Sequence, residues 1–140
     1  MTHEIVNLEG LPPARGFSHA VIASPGRTVY LGGQTAHGPD GELEGVTLAE
    51  QFDRAAANVV LALEGAGARP EDLVSVQIFV TDADEYRFSL QRIGEIWRER
   101  LGRRYPAMAL FEVAGLFDAA ARDEPVGIAV IPEARTAPER

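Results

Sequence analysis

Apolar residues along this chain recur with two different periods, and each switch between them marks a new element. Leu48, Phe52, Ala56, Val59 and Leu63 are spaced by four, four, three and four positions, the stripe of an amphipathic helix. Thr47-Leu48-Ala49-Glu50 gives this helix capping-box spacing at its start, and Gly65 and Gly67 stop it. Leu73-Val74-Ser75-Val76-Gln77-Ile78-Phe79-Val80 then reads as a β-branched strand. Asp82-Ala83-Asp84-Glu85 repeats the capping signal with an acidic cap, which suits the positive end of a helix dipole. Tyr86, Leu90, Ile93 and Trp97 form the stripe of that second helix, and Gly102 ends it.

The stretch from Arg104 to Val113 follows directly. It is apolar, too short for an ordinary helix and entered through Pro106, so it reads as a strand. Strand alternation puts Met108, Leu110 and Glu112 on one face and Ala107, Ala109 and Phe111 on the other. Upstream, Glu4 to Leu8 is a short first strand, and Phe17–Ala23 and Thr28–Leu31 read as a hairpin joined through Ser24-Pro25-Gly26-Arg27. Asp118 to Pro125 is too polar and small for core, and Val126 to Ile131 is the final strand. The pattern predicts one α+β domain over residues 1–131, a mixed six-stranded sheet with two helices on one face. Residues 132–140, rich in proline and charge, read as a frayed tail.

Two helices cover only one face of such a sheet. Phe79 points to the other side from Val76, Ile78 and Val80, so the second face is not wholly polar. Burial of that face against further copies of the chain is expected.

Composition narrows the chemistry mainly by exclusion. The net charge of −8 argues against nucleic acid as a partner, because phosphate binding relies on a basic surface. All 13 basic residues are arginine, so no lysine is present to form a Schiff base or anchor pyridoxal. Cysteine is absent, which removes thiol catalysis and thiolate ligation and suits a cytoplasmic protein. No run approaches the roughly 18 apolar residues of a membrane span, and no secretory signal is visible. His3, His19 and His37 lack ligand spacing, so no metal and no cofactor are expected.

Several motifs, taken in order, are similar to one family. They are Arg15-Gly16-Phe17-Ser18-His19-Ala20-Val21, Tyr30-Leu31-Gly32-Gly33-Gln34, Gln51 with Asn58, Ala66-Gly67, and Pro106-Ala107. Together they resemble the Rid family of enamine/imine deaminases, also called the YjgF or L-PSP endoribonuclease family. The resemblance implies a chorismate-mutase-like fold and a homotrimer with a small-molecule pocket at each subunit interface. It also implies cofactor-independent hydrolysis of reactive imines, such as 2-aminoacrylate-derived species, to 2-keto acids and ammonia.

The chain departs from that family where the chemistry is done. Active members follow Pro-Ala with an arginine whose forked donors bind the substrate carboxylate. Here the position is Met108, and losing such a clamp removes about 2–5 kcal/mol of recognition for an acid. The family's water-positioning glutamate aligns with Val126, with Glu124 at another family glutamate position. Its tyrosine is Phe17, and its serine before Gly-Gln is Gly32. Arg92 or Arg122 could supply a displaced guanidinium. His19, by its pKa range, and Glu112, by its strand face, are the candidate catalytic groups. Phe17, Ser18, Gly32, Gln34, Gln91, Met108, Leu110 and Val126 are the candidate ligand-binding positions. Two functions are expected from these residues: a Rid-like hydrolase on a less anionic substrate, or a non-catalytic trimeric binder of a metabolite or partner.

Overall fold

A computed structural model describes residues 3–136. The first helix, α1 (Leu48–Gly65), is capped as its sequence directs: Thr47 Oγ1 accepts the Glu50 amide at 3.2 Å, and Glu50 accepts the Thr47 amide at 3.0 Å. The Thr47 amide, with that of Val46, holds the Glu50 carboxyl below its ordinary pKa. At its far end Gly67 turns left-handed (φ 81°), which lets the Ala68 amide reach back to the Leu63 carbonyl.

Six strands form among the described residues, but their pairing differs from the expected hairpin and single ladder. β1 (Glu4–Val6) and β2 (Ala20–Ile22) pair with each other, antiparallel, as a two-stranded unit. β3 (Gly26–Tyr30) pairs instead with β6 (Asp123–Pro132), at one edge of the four-stranded main sheet. In it β4 (Leu73–Val80) is parallel to β5 (Ala107–Glu112) and antiparallel to β6, so the sheet is mixed and its order is β3-β6-β4-β5. Gly26 explains the switch of partner. A Cβ there would lie 2.0 Å from the Ile131 carbonyl oxygen, so only glycine lets the chain start its pairing with Pro132. His3 then clips the outer unit onto this sheet. Its Nε2–H donates to the Val130 carbonyl at 2.8 Å, and its Nδ1 accepts the Ser24 amide at 2.9 Å.

The expected second helix is two. α2 (Ala83–Phe88), capped by Asp82, gives way at Ser89 to α3 (Leu90–Leu101). Leu48, Phe52, Ala56, Val59 and Leu63 of α1 join Ile93, Ile96 and Trp97 of α3 over Val76, Ile78 and Val80 of β4, making one core on one face of the sheet. Burying each of these large side chains contributes about 1.5–3 kcal/mol.

The C-terminal end differs from a frayed tail over the described residues. β6 runs through Pro132 and is followed by α4 (Glu133–Thr136); residues 137–140 lie outside the described part. The 118–125 stretch also enters the core more than its composition suggested. Ala121 and Asp123 are buried, because β6 begins at Asp123 directly opposite Val80.

The opposite face of the sheet has no helix among the described residues. Tyr30 and Phe111 are exposed there, and the Phe79 and Phe111 rings stack at 5.6 Å beside half-buried Val126 and Ile128.

Candidate functional site

Met108 lies on edge strand β5 in register with Val76, so it faces the helices rather than the open sheet face. Between β5 and α3 the core does not close. A cavity of about 510 Å³ remains, with Met108, Tyr105 and Leu110 on one side and Leu90, Ile93 and Trp97 on the other. Its size falls within the range of small-molecule sites, and its walls are mostly apolar and aromatic. The Trp97 and Tyr105 rings stack at 6.3 Å, making a rigid wall.

Ser18 brings the N-terminal loop to this cavity. Its hydroxyl donates to the Tyr105 carbonyl at 2.6 Å and its amide to the Pro106 carbonyl at 2.9 Å. Gly16, at φ 76°, makes the turn that leaves Phe17 and Arg15 lining the cavity. Ser18 is itself buried, so its part is to anchor the loop.

The cavity gathers Phe17, Met108 and Leu110 from the expected positions, and Ser18 holds their frame. The remaining positions lie elsewhere. Both ring nitrogens of His19 serve the N-terminal loop, Nδ1 accepting the Leu8 amide at 3.0 Å and Nε2–H donating to the Pro12 carbonyl at 2.8 Å. Glu112 accepts the Ala83 amide at 2.9 Å at the start of α2. Gln34 donates to the Gly32 carbonyl at 3.3 Å and lines a separate hollow with Thr35, His37 and Asn58. Gln91 is exposed on α3. Val126 pairs in register with Gln77, one position out of phase with Met108, and so belongs to the open sheet face.

Neither arginine singled out as a replacement turns to the cavity. Arg92 pairs with Glu95 at 3.3 Å and Glu99 at 3.7 Å. Arg122 is held by Glu85 and by the Val46 carbonyl, both at 2.8 Å. The arginines that line the cavity are Arg15 and Arg98. Sequence reading missed both. The available signal was Gly94 in mid-helix, next to a stripe residue and one turn before Arg98.

Tyr86 also lines the cavity, and burial, with the nearby Asp123 carboxylate second, pushes its hydroxyl up to about 12. It is therefore a neutral hydrogen-bonding group at any physiological pH. Among the described residues no three His, Asp or Glu side chains assemble as a metal set.

Comparison with known proteins agrees with this architecture. A family model described as endoribonuclease L-PSP matches residues 8–131. A RutC family protein of Pyrococcus abyssi is 29% identical over 118 residues, covering 83% of this chain and 88% of that one. Among solved structures, the conserved Rid family protein YyfB of Yersinia pestis superposes with a TM-score of 0.82 at 31% identity, over 94% of this chain and 100% of that one. RidA from the Antarctic bacterium Psychrobacter sp. PAMC 21119 gives 0.66 at 27% identity, over 91% and 99%.

Proposed function

The chain belongs to the endoribonuclease L-PSP (YjgF/Rid) family, and from that premise we propose that it is a small-molecule protein working through the cavity beside Met108. We read it as a cofactor-independent, deaminase-like hydrolase of an enamine, imine or related metabolite other than the usual small acid. The observation that carries this reading is Met108 itself. Where active relatives carry a cation, this chain places a thioether packed against the core, facing Trp97 and Phe17 across an apolar cavity. Such a wall favours an apolar body and gives a small acid nothing to pair with at that position. The net charge of −8 supports a metabolite over RNA, and a cytoplasmic setting fits the cysteine-free composition.

The test is keto-acid release from freshly generated 2-iminopropionate. Wild-type protein is expected to give little acceleration, and Met108→Arg to raise the rate about tenfold or more, as a regained carboxylate clamp would. A wild-type rate matching an arginine-bearing relative would overturn the reading. Inactivity in both, with a saturable apolar ligand at the cavity, would favour the non-catalytic binder.

We propose further that the working unit is a homotrimer that places this cavity near a subunit boundary. The support is the open sheet face carrying Tyr30, Phe79 and Phe111, an apolar surface that water does not suit. Phe111→Glu is expected to convert the assembly to monomers by light scattering. An unchanged mass would place the interface elsewhere.

A further inference from the structure

The floor of the cavity is apolar, but its mouth is not. Gly94 lies on the cavity wall between Ile93 and the next turn of α3, and a Cβ there would meet Arg98 Nη1 at 3.4 Å. The Arg98 guanidinium lies back along its own helix beside Gly94. Arg15, placed by the Gly16 turn, lines the cavity from the N-terminal loop. Six other arginines pair with carboxylates, yet neither Arg15 nor Arg98 has an ion pair among the described residues. Two uncompensated guanidiniums at one opening make a local positive site on a chain of net charge −8.

Apolar walls and a doubly cationic mouth together describe an amphipathic anion.

Resting on the reading of this cavity as the ligand site, we infer that it takes a monocarboxylate with an aryl or medium-chain apolar body. The body lies against Met108, Trp97 and Tyr105, and the carboxylate is held by Arg98 and Arg15. The clamp that Met108 lacks is thus supplied from α3 and the N-terminal loop, at a distance from the strand that leaves room for a larger substrate. Arg98 and Arg15 act as specificity-determining groups, choosing acids over their neutral analogues.

Trp97 is the only tryptophan of the chain and lines this cavity, so its fluorescence responds to a ligand bound there. Full-length protein is titrated with phenylbutyrate, with phenylbutyramide and with pyruvate. Phenylbutyrate is expected to give a saturable spectral shift, the amide to bind about tenfold more weakly, and pyruvate to give none. Arg98→Gln is expected to abolish the preference for acid while leaving amide binding unchanged, and Arg98→Lys to restore part of it. Arg98 is exposed near the end of α3, so neither change threatens folding. Arg92→Gln, on the same helix but paired with Glu95 and Glu99, should change nothing. Equal binding of acid and amide, or a preference that survives Arg98→Gln, overturns the clamp while leaving the cavity as a ligand site. Silence of Trp97 toward both aryl compounds overturns the clamp and the cavity reading together.

Discussion

Replacing Asp123 with asparagine should raise stability by about 4 kcal/mol at pH 8 and by almost nothing at pH 4. Asp123 is fully buried at the start of β6, and neither carboxyl oxygen has a hydrogen-bond partner among the described residues. Burial pushes its pKa from 3.8 up to about 7, with the Glu85 carboxylate adding to the shift. Arg122 does not offset this, because its guanidinium is already bound to Glu85.

A carboxyl whose pKa is raised by folding is easier to ionise in the unfolded chain. The unfolded state therefore gives up its proton first as pH rises through about 4, and the folded state does so only near 7. Between those values the folded form binds more protons, so stability falls with rising pH, and the full penalty is present above about 7. Asparagine keeps the shape and never ionises, which removes that slope. Urea denaturation of both proteins from pH 4 to 8.5 measures it. Parallel stability curves would show that the buried carboxyl is solvated or paired in a way this arrangement lacks.

The second large effect lies at the other end of β6. Arg135 of α4 grips both oxygens of Asp72, with Nη1 at 2.9 Å from Oδ1. Asp72 is fully buried, and its other contact is the Arg69 amide at 2.8 Å. The carboxylate in turn raises the Arg135 pKa, chiefly through this hydrogen bond. Removing the guanidinium leaves a buried carboxylate with one amide for compensation. Arg135→Met is therefore expected to cost about 3 kcal/mol by chemical denaturation. Asp72→Asn in the same background should recover part of that loss, because the uncompensated charge is then gone. Additive losses in the double variant would mean that the pair is not coupled.

Much of the architecture is legible from short-range pattern. The capping box at Thr47, the α1 stripe and the limits of β4 at Leu73 and Val80 follow from spacing and residue type. The division of β5 into a helix-facing side with Met108 and an open side with Phe111 follows from strand alternation. Proximity in sequence favours a β2–β3 hairpin, which does not form. A close approach at Gly26, to a carbonyl 105 positions away at Ile131, settles the pairing otherwise. The site divides in the same way. Phe17, Met108 and Leu110 meet in one cavity, while Gln34 and Val126 lie in other parts of the molecule.

Sequence alone thus determined which segments are helix or strand and which face of each is apolar, since those depend on the fixed direction of successive side chains. It also removed lysine and thiol chemistry, because a missing functional group cannot be restored by folding. Only the tertiary structure decided that Arg15 and Arg98 flank the cavity, that Asp123 is stranded from water, and that Arg135 closes over Asp72. Each of these is a distance between groups far apart along the chain, and local periodicity carries no record of such distances.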